Sequence, residues 1–155
     1  MNLKIKALVK TLIDKYQTNN PFEICDALEI AIELLPLGGL NGTCSIQFGV
    51  SVIQINSSLD DFHRRLACAH ELGHIILKHR NNKFFLSQNT NLCLPKYENE
   101  ADYFAIELLL PDEDILGLGA LSCNRLAKIY NIPRKLAEYK LVNMREQLRI
   151  WGSDP

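Results

Sequence analysis

Between Arg64 and Arg80 the chain carries His70-Glu71-Leu72-Gly73-His74, set among the apolar residues Leu66, Ala67, Ala69, Leu72, Ile75, Ile76 and Leu77. Two histidines four residues apart stack on one face of a helix, because four residues make just over one turn. That face can grip one tetrahedral metal ion, usually Zn²⁺. Glu71, one step round the helix, is within reach of an attacking water as general base. The reading without chemistry is two partly exposed histidines on an amphipathic helix. Gly73 costs about 1 kcal/mol against Ala in mid-helix, so its presence fits a place where something approaches the backbone closely.

A second stretch completes the pattern. A helix starts at Pro95 or Lys96, runs through Tyr97–Leu110, and is ended by Pro111. Ala101, Ala105, Leu108 and Leu109 form its apolar stripe, and Glu98 and Asp102 fall inside that stripe at i and i+4. Asn99, Glu100, Tyr103 and Glu107 lie on other faces. A carboxylate on a buried stripe is expensive unless it is paired or bound to metal. Glu98 is therefore the natural third ligand beside His70 and His74, with Glu100 as its competitor. Asp102, one turn on, is placed to accept the free N–H of a ligand histidine.

Around these two helices the chain reads as one α+β domain over residues 1–155. Ile5, Leu8, Val9, Leu12, Ile13 and Tyr16 keep a helical period. Asn20-Pro21 opens a second helix, with an N-cap residue followed by proline at the first helical position. A short strand follows from about Ile30. Leu40–Asn56 reads as β: Asn41-Gly42 is a hairpin-type turn signal, Cys44, Ile46 and Phe48 alternate with polar residues, and Gly49 breaks the run. The expectation is a small, mostly antiparallel three-stranded sheet packed on the motif helix. Ser57-Ser58 and Asp60-Asp61 supply that helix with caps and first-turn acids. Asn81–Lys96 reads mostly as a loop, anchored by Phe84-Phe85-Leu86 and Leu92-Cys93-Leu94. Asp112-Glu113-Asp114 reads as a solvated entry to a short helix. A helical tail, about 120–150, then holds two helices joined at Asn131-Ile132-Pro133.

Bulk properties narrow the function. Lys plus Arg number 17 against 18 acids, a formal net charge of −1, so no global basic field draws the chain to nucleic acid or anionic membrane. Hydrophobic residues make up 47%, enough for a packed core, yet no apolar run reaches membrane-spanning length. The start is an amphipathic pattern and not a signal peptide. Cys25, Cys44, Cys68, Cys93 and Cys123 are odd in number, scattered and without a C-x-x-C pair, which fits a reducing cytoplasm. The tail resembles a helix-turn-helix with Arg134, Lys135, Lys140 and Arg145 on its second helix, but Glu138 and Glu146 interrupt that patch, and a structural tail is the preferred reading.

Arg64-Arg65-Leu66-Ala67-Cys68-Ala69-His70-Glu71-Leu72-Gly73-His74, preceded by Ile53-Gln54-Ile55-Asn56 and followed by Glu98-Asn99-Glu100-Ala101-Asp102-Tyr103-Phe104-Ala105 and Leu108-Leu109-Leu110-Pro111, resembles the ImmA/IrrE family of zinc metallopeptidases. The resemblance spans about Pro21 to Leu141. It implies Zn²⁺ held by His70, His74 and Glu98, with Glu71 as the catalytic glutamate. It also implies peptide hydrolysis directed at a helix-turn-helix repressor, since members are often encoded by phages and mobile elements and relieve such repression. The chain looks like the short, phage-type branch.

The alternative to hydrolysis is a metal-binding antirepressor that acts by protein–protein contact alone; a DNA-binding regulator built on the tail is a third reading. The candidates for oxyanion stabilisation are His63, two turns before His70 on roughly the same face, and Tyr97 or Tyr103. Otherwise His63 is a surface residue, and His79, off the ligand face, is another. Cys68, one turn from Glu71, reads as a small buried apolar residue.

Overall fold

Apolar periodicity becomes helix where the spacing predicts it. The computed structural model describes residues 3–79 and 94–151. Among them are seven helices and three strands. The first helix, α1 (Leu3–Tyr16), buries Ile5, Val9 and Leu12. In α2 (Pro21–Ala27) the Asn20 side chain accepts a hydrogen bond from the Phe22 amide, and Pro21 occupies the first turn, where a missing N–H leaves nothing unpaired. The loop expected from Asn81 lies outside the described residues as far as 93.

The sheet is mixed where a mostly antiparallel one was expected. Strands β1 (Ala31–Leu35), β2 (Gly42–Gln47) and β3 (Val50–Asn56) lie in the order β1-β3-β2. β2 and β3 form an antiparallel hairpin, but β1 runs parallel to β3. The hairpin turn is Phe48-Gly49, with φ of 50° and 80°, and not Asn41-Gly42. Two successive positive-φ residues match the right-handed twist of the strands. Asn41-Gly42 instead leads into β2. The segment before it crosses the end of β3, where the buried Asn56 amide donates to the carbonyls of Gly38 and Leu40. That crossing carries the chain from one edge of the sheet to the other, so the central strand β3 arrives parallel to β1.

Helix α3 (Asp61–Ile76) starts at Asp60, whose side chain accepts from the His63 amide at 2.9 Å. It stops at Ile76, earlier than the expected Arg80. Leu77 caps it, and Lys78 takes a left-handed φ of 57°. Helix α4 (Leu94–Leu109) packs against it. At their crossing, a methyl added to Gly73 would lie 3.1 Å from Phe104 Cδ1, so glycine permits the close approach. Phe104, Leu72, Cys68, Cys25, Ile24, Ile53 and Ile55 are fully buried in the core between sheet and helices.

A second cluster forms beyond α4, around Ile106, Leu110, Leu126 and Leu136. It joins α4 to α5 (Asp112–Gly117), α6 (Cys123–Tyr130) and α7 (Arg134–Trp151). Asn131, in the left-handed conformation at φ 50°, makes the turn between α6 and α7. No described helix is long and apolar enough to cross a membrane.

Two readings of charge are corrected here. Lys140 belongs to no solvent-facing basic patch: it is fully buried, with Nζ 2.7 Å from Glu107 and 2.7 Å from Asp112. Nor is Asp112 a solvated helix entry, because Lys6 of α1 also reaches it at 2.5 Å. Lys135 is hydrogen-bonded to Asn99. The sequence placed these charges on single helices, and pairing across helices decided their environment. Burial works against the Asp112 carboxylate, but the two ammonium groups outweigh it and hold its pKa below the ordinary 3.8.

Lys140→Met removes the nearer ammonium partner of the buried Glu107 carboxylate and leaves it Lys6, 3.9 Å away. It should destabilise the fold by about 3–5 kcal/mol at neutral pH, read as a lowered urea midpoint at unchanged slope. Asp112→Asn should also destabilise, with a pH signature. A carboxylate whose folded pKa lies below 3.8 contributes stability above that value and loses it as pH falls through the folded pKa. The gap between wild type and Asp112→Asn should therefore close as the pH is taken below about 4.

Candidate metal centre

His70 and His74 project from α3 towards α4, and Glu98 of α4 projects back. His70 Nε2 and His74 Nε2 are 3.1 Å apart; Glu98 Oε2 is 3.2 Å from the first, and its Oε1 is 3.4 Å from the second. An ion about 2.0–2.1 Å from each tetrahedral donor keeps those donors roughly 3.3–3.4 Å apart. The two Glu98 contacts come from its two different oxygens, so the carboxylate straddles the histidine pair, and together the three side chains form a group that could hold a metal ion. The His74 side chain is 1% exposed, that of His70 21% and that of Glu98 44%, so the group is sealed towards α3 and open towards Glu98.

Asp102 Oδ1 lies 2.9 Å from His70 Nδ1 and can accept its N–H. That directs the Nε2 lone pair towards His74 and Glu98. Burial disfavours a charged His70, but hydrogen bonds to Asp102 and Glu98, with the nearby Asp102 and Glu71 charges, prevail and raise its pKa to about 9.

Glu71 is buried on α3, next to His70. Strand β2 passes over it: a methyl on Gly42 would sit 3.2 Å from Glu71 Cγ. Gly42 was legible only as a turn residue, because nothing in the sequence pairs it with Glu71.

The other singled-out residues go elsewhere. Glu100 points away from the donor group, to His79, with Oε2 2.9 Å from Nε2. His79 is not a surface residue: it is 1% exposed, with Nδ1 3.0 Å from His74 Nδ1 and its ring 4.5 Å from that of Tyr97. On an unbroken helix a residue five positions after His74 faces away from it. The left-handed Lys78 breaks the helix and turns His79 back. His63 is held by Asp60, at 2.8 Å from Nδ1, and by the Asn131 carbonyl, at 3.0 Å from Nε2. The Asn131 carbonyl, against a burial penalty and with help from Asp60, raises the His63 pKa above 6.5. Tyr103 stacks on Tyr139 at 3.8 Å. Cys68 is buried, with Sγ 3.9 Å from that of Cys25, and this contact together with burial pushes its thiol pKa up.

Comparison with known proteins gives a consistent picture. Residues 25–142 match the model of a peptidase family described as the IrrE N-terminal-like domain. The uncharacterized immunity region protein 2 of Bacillus phage phi105 is 42% identical over 111 residues, which is 70% of this chain and 69% of that protein. The metallopeptidase ImmA of Bacillus subtilis strain 168 is 34% identical over 143 residues, covering 88% of this chain and 83% of that protein.

Proposed function

The chain belongs to the ImmA/IrrE family of metallopeptidases, and from that premise we propose that it is a zinc-dependent peptidase acting on a regulatory protein, specifically a helix-turn-helix repressor of a phage or mobile element. One observation carries the enzymatic half: the donor group of His70, His74 and Glu98, whose two Nε2 atoms are 3.1 Å apart and lie 3.2 and 3.4 Å from the two oxygens of Glu98. The regulatory half is supported by the immunity-region name of the phage relative.

His70, His74 and Glu98 would hold the ion. When bound, Zn²⁺ supplies a Lewis acid that polarises the scissile carbonyl and lowers the pKa of the attacking water. Glu71 takes a proton from that water as its oxygen bonds to the carbonyl carbon. It returns the proton to the amine nitrogen as the C–N bond breaks. Asp102 keeps His70 in the tautomer whose Nε2 can donate its lone pair. The more exposed side, at Glu98, admits substrate. β2 pairs with β3 on one side only within the described sheet, which leaves its outer backbone edge, close to Glu71, for an extended peptide to align on.

Two experiments test this reading. Metal analysis should find a stoichiometric zinc in wild type and almost none in Glu98→Ala; zinc retained by Glu98→Ala would overturn the ligand assignment. Glu71→Gln should keep the zinc and lose cleavage of the repressor by roughly 10²–10⁴-fold, the range for a general base. Full relief of repression by Glu71→Gln would mean that the protein acts by binding and not by hydrolysis.

A further inference from the structure

When Nε2 of a histidine donates to a metal ion, Nδ1 carries the proton and needs an acceptor. For His70 that acceptor is Asp102. His74 meets a second imidazole instead: its Nδ1 lies 3.0 Å from Nδ1 of His79, and both residues are 1% exposed. Two neutral imidazoles can meet at that distance only if one nitrogen is protonated and the other is not. The far end of the pair decides which. His79 Nε2 is 2.9 Å from Glu100 Oε2, and a carboxylate accepts but cannot donate. His79 therefore carries its proton on Nε2, where Glu100 takes the hydrogen bond. That leaves His79 Nδ1 as an acceptor, which requires His74 to be protonated on Nδ1 and to keep its Nε2 lone pair free for the donor group. The opposite pair of tautomers sets a lone pair of His79 against the Glu100 carboxylate and an N–H of His74 into the donor group.

We propose that His79 and Glu100 are positioning residues for the metal: through two buried imidazoles, Glu100 holds His74 in its ligating tautomer, as Asp102 holds His70 directly. This rests on the reading of His70, His74 and Glu98 as zinc ligands. The supporting contacts are local. Tyr97 covers the His79 ring at 4.5 Å, and Lys96 lies 3.8 Å from Glu100 Oε1, which favours the charged carboxylate. Each ligand histidine of α3 thus depends on its own acid from α4, at positions 102 and 100.

The test is Zn²⁺ affinity, measured by competition with a chromophoric chelator, for wild type, Glu100→Leu, which has no acceptor for His79, His79→Phe and the double variant. Phenylalanine preserves ring volume and the contact with Tyr97 but has no acceptor. Each single variant should bind Zn²⁺ about ten- to a hundred-fold more weakly, the usual cost of losing a partner behind a metal ligand. The double variant should be no weaker than His79→Phe, because a chain already broken has no second link to lose. Affinity of Glu100→Leu within twofold of wild type would overturn the proposal. So would a double variant whose loss equals the product of the two singles, since Glu100 would then act independently of His79. Should His79→Phe fail to fold, Glu100→Leu decides alone, for the side chain at this helix position is 29% exposed in the wild type and its replacement opens no core cavity. Wild type that takes up no Zn²⁺ would remove the ligand reading itself, a result separate from these.

Discussion

Helices α3 and α4 bring donors from distant parts of the chain to one point because their backbones can approach at Gly73 and Phe104. A histidine and a glutamate have fixed reach, so the separation of the two helix axes sets whether His70, His74 and Glu98 can meet. A methyl at position 73 would stand 3.1–3.2 Å from three Phe104 atoms, closer than a fully buried ring can accommodate without moving the helix that carries it. Any such shift would pull apart side chains whose donor atoms now approach to 3.1–3.4 Å. The glycine sacrifices helix propensity of about 1 kcal/mol, and the close crossing explains why that loss is tolerated. The buried ion group of Lys6, Glu107, Asp112 and Lys140 fixes the other end of α4 against α1, α5 and α7.

Much of this arrangement was legible because it is periodic. The apolar spacing gave α1, the Asn20-Pro21 pair gave the start of α2, and Gly49 marked the break between the two hairpin strands. Glu98 and Asp102 could be read as facing inward because both fall on the apolar stripe of one helix, and each comes to His70, at 3.2 and 2.9 Å. What could not be read depended on how elements return to one another. β1 runs parallel to β3 because of a crossing loop held by Asn56, and no local pattern encodes that. Phe48, with φ of 50°, makes the hairpin turn although it lacks the side-chain chemistry usual for that conformation, whereas Asn41-Gly42 has that chemistry and makes no hairpin turn.

His79 is the most instructive failure. Helical arithmetic sends it away from His74, and the arithmetic holds as far as the helix does. The helix ends at a lysine in the left-handed conformation, φ 57°, where glycine or asparagine would have signalled the stop. With that signal missing, His79 read as a surface residue and Glu100 had no visible partner except the metal. Once the chain turns at Lys78, His79 accounts for the direction of Glu100, whose Oε2 lies 2.9 Å from its Nε2.

Glu98, Glu100 and Asp102 then divide one task by geometry. Positions 98 and 102 are a turn apart and share the face towards His70; position 100 lies between them and faces the other way, towards His79. With Glu71 they gather four carboxylates around imidazoles that are neutral when they act as ligands. Acids so close together repel, and partial burial weakens the water that would screen them. A divalent cation at the donor group offsets part of that repulsion, and the acids behind the imidazoles orient the lone pairs that receive it. The excess of acid is therefore the electrostatic counterpart of the donor group: the geometry sets where an ion can sit, and the charge makes a cation the species that belongs there.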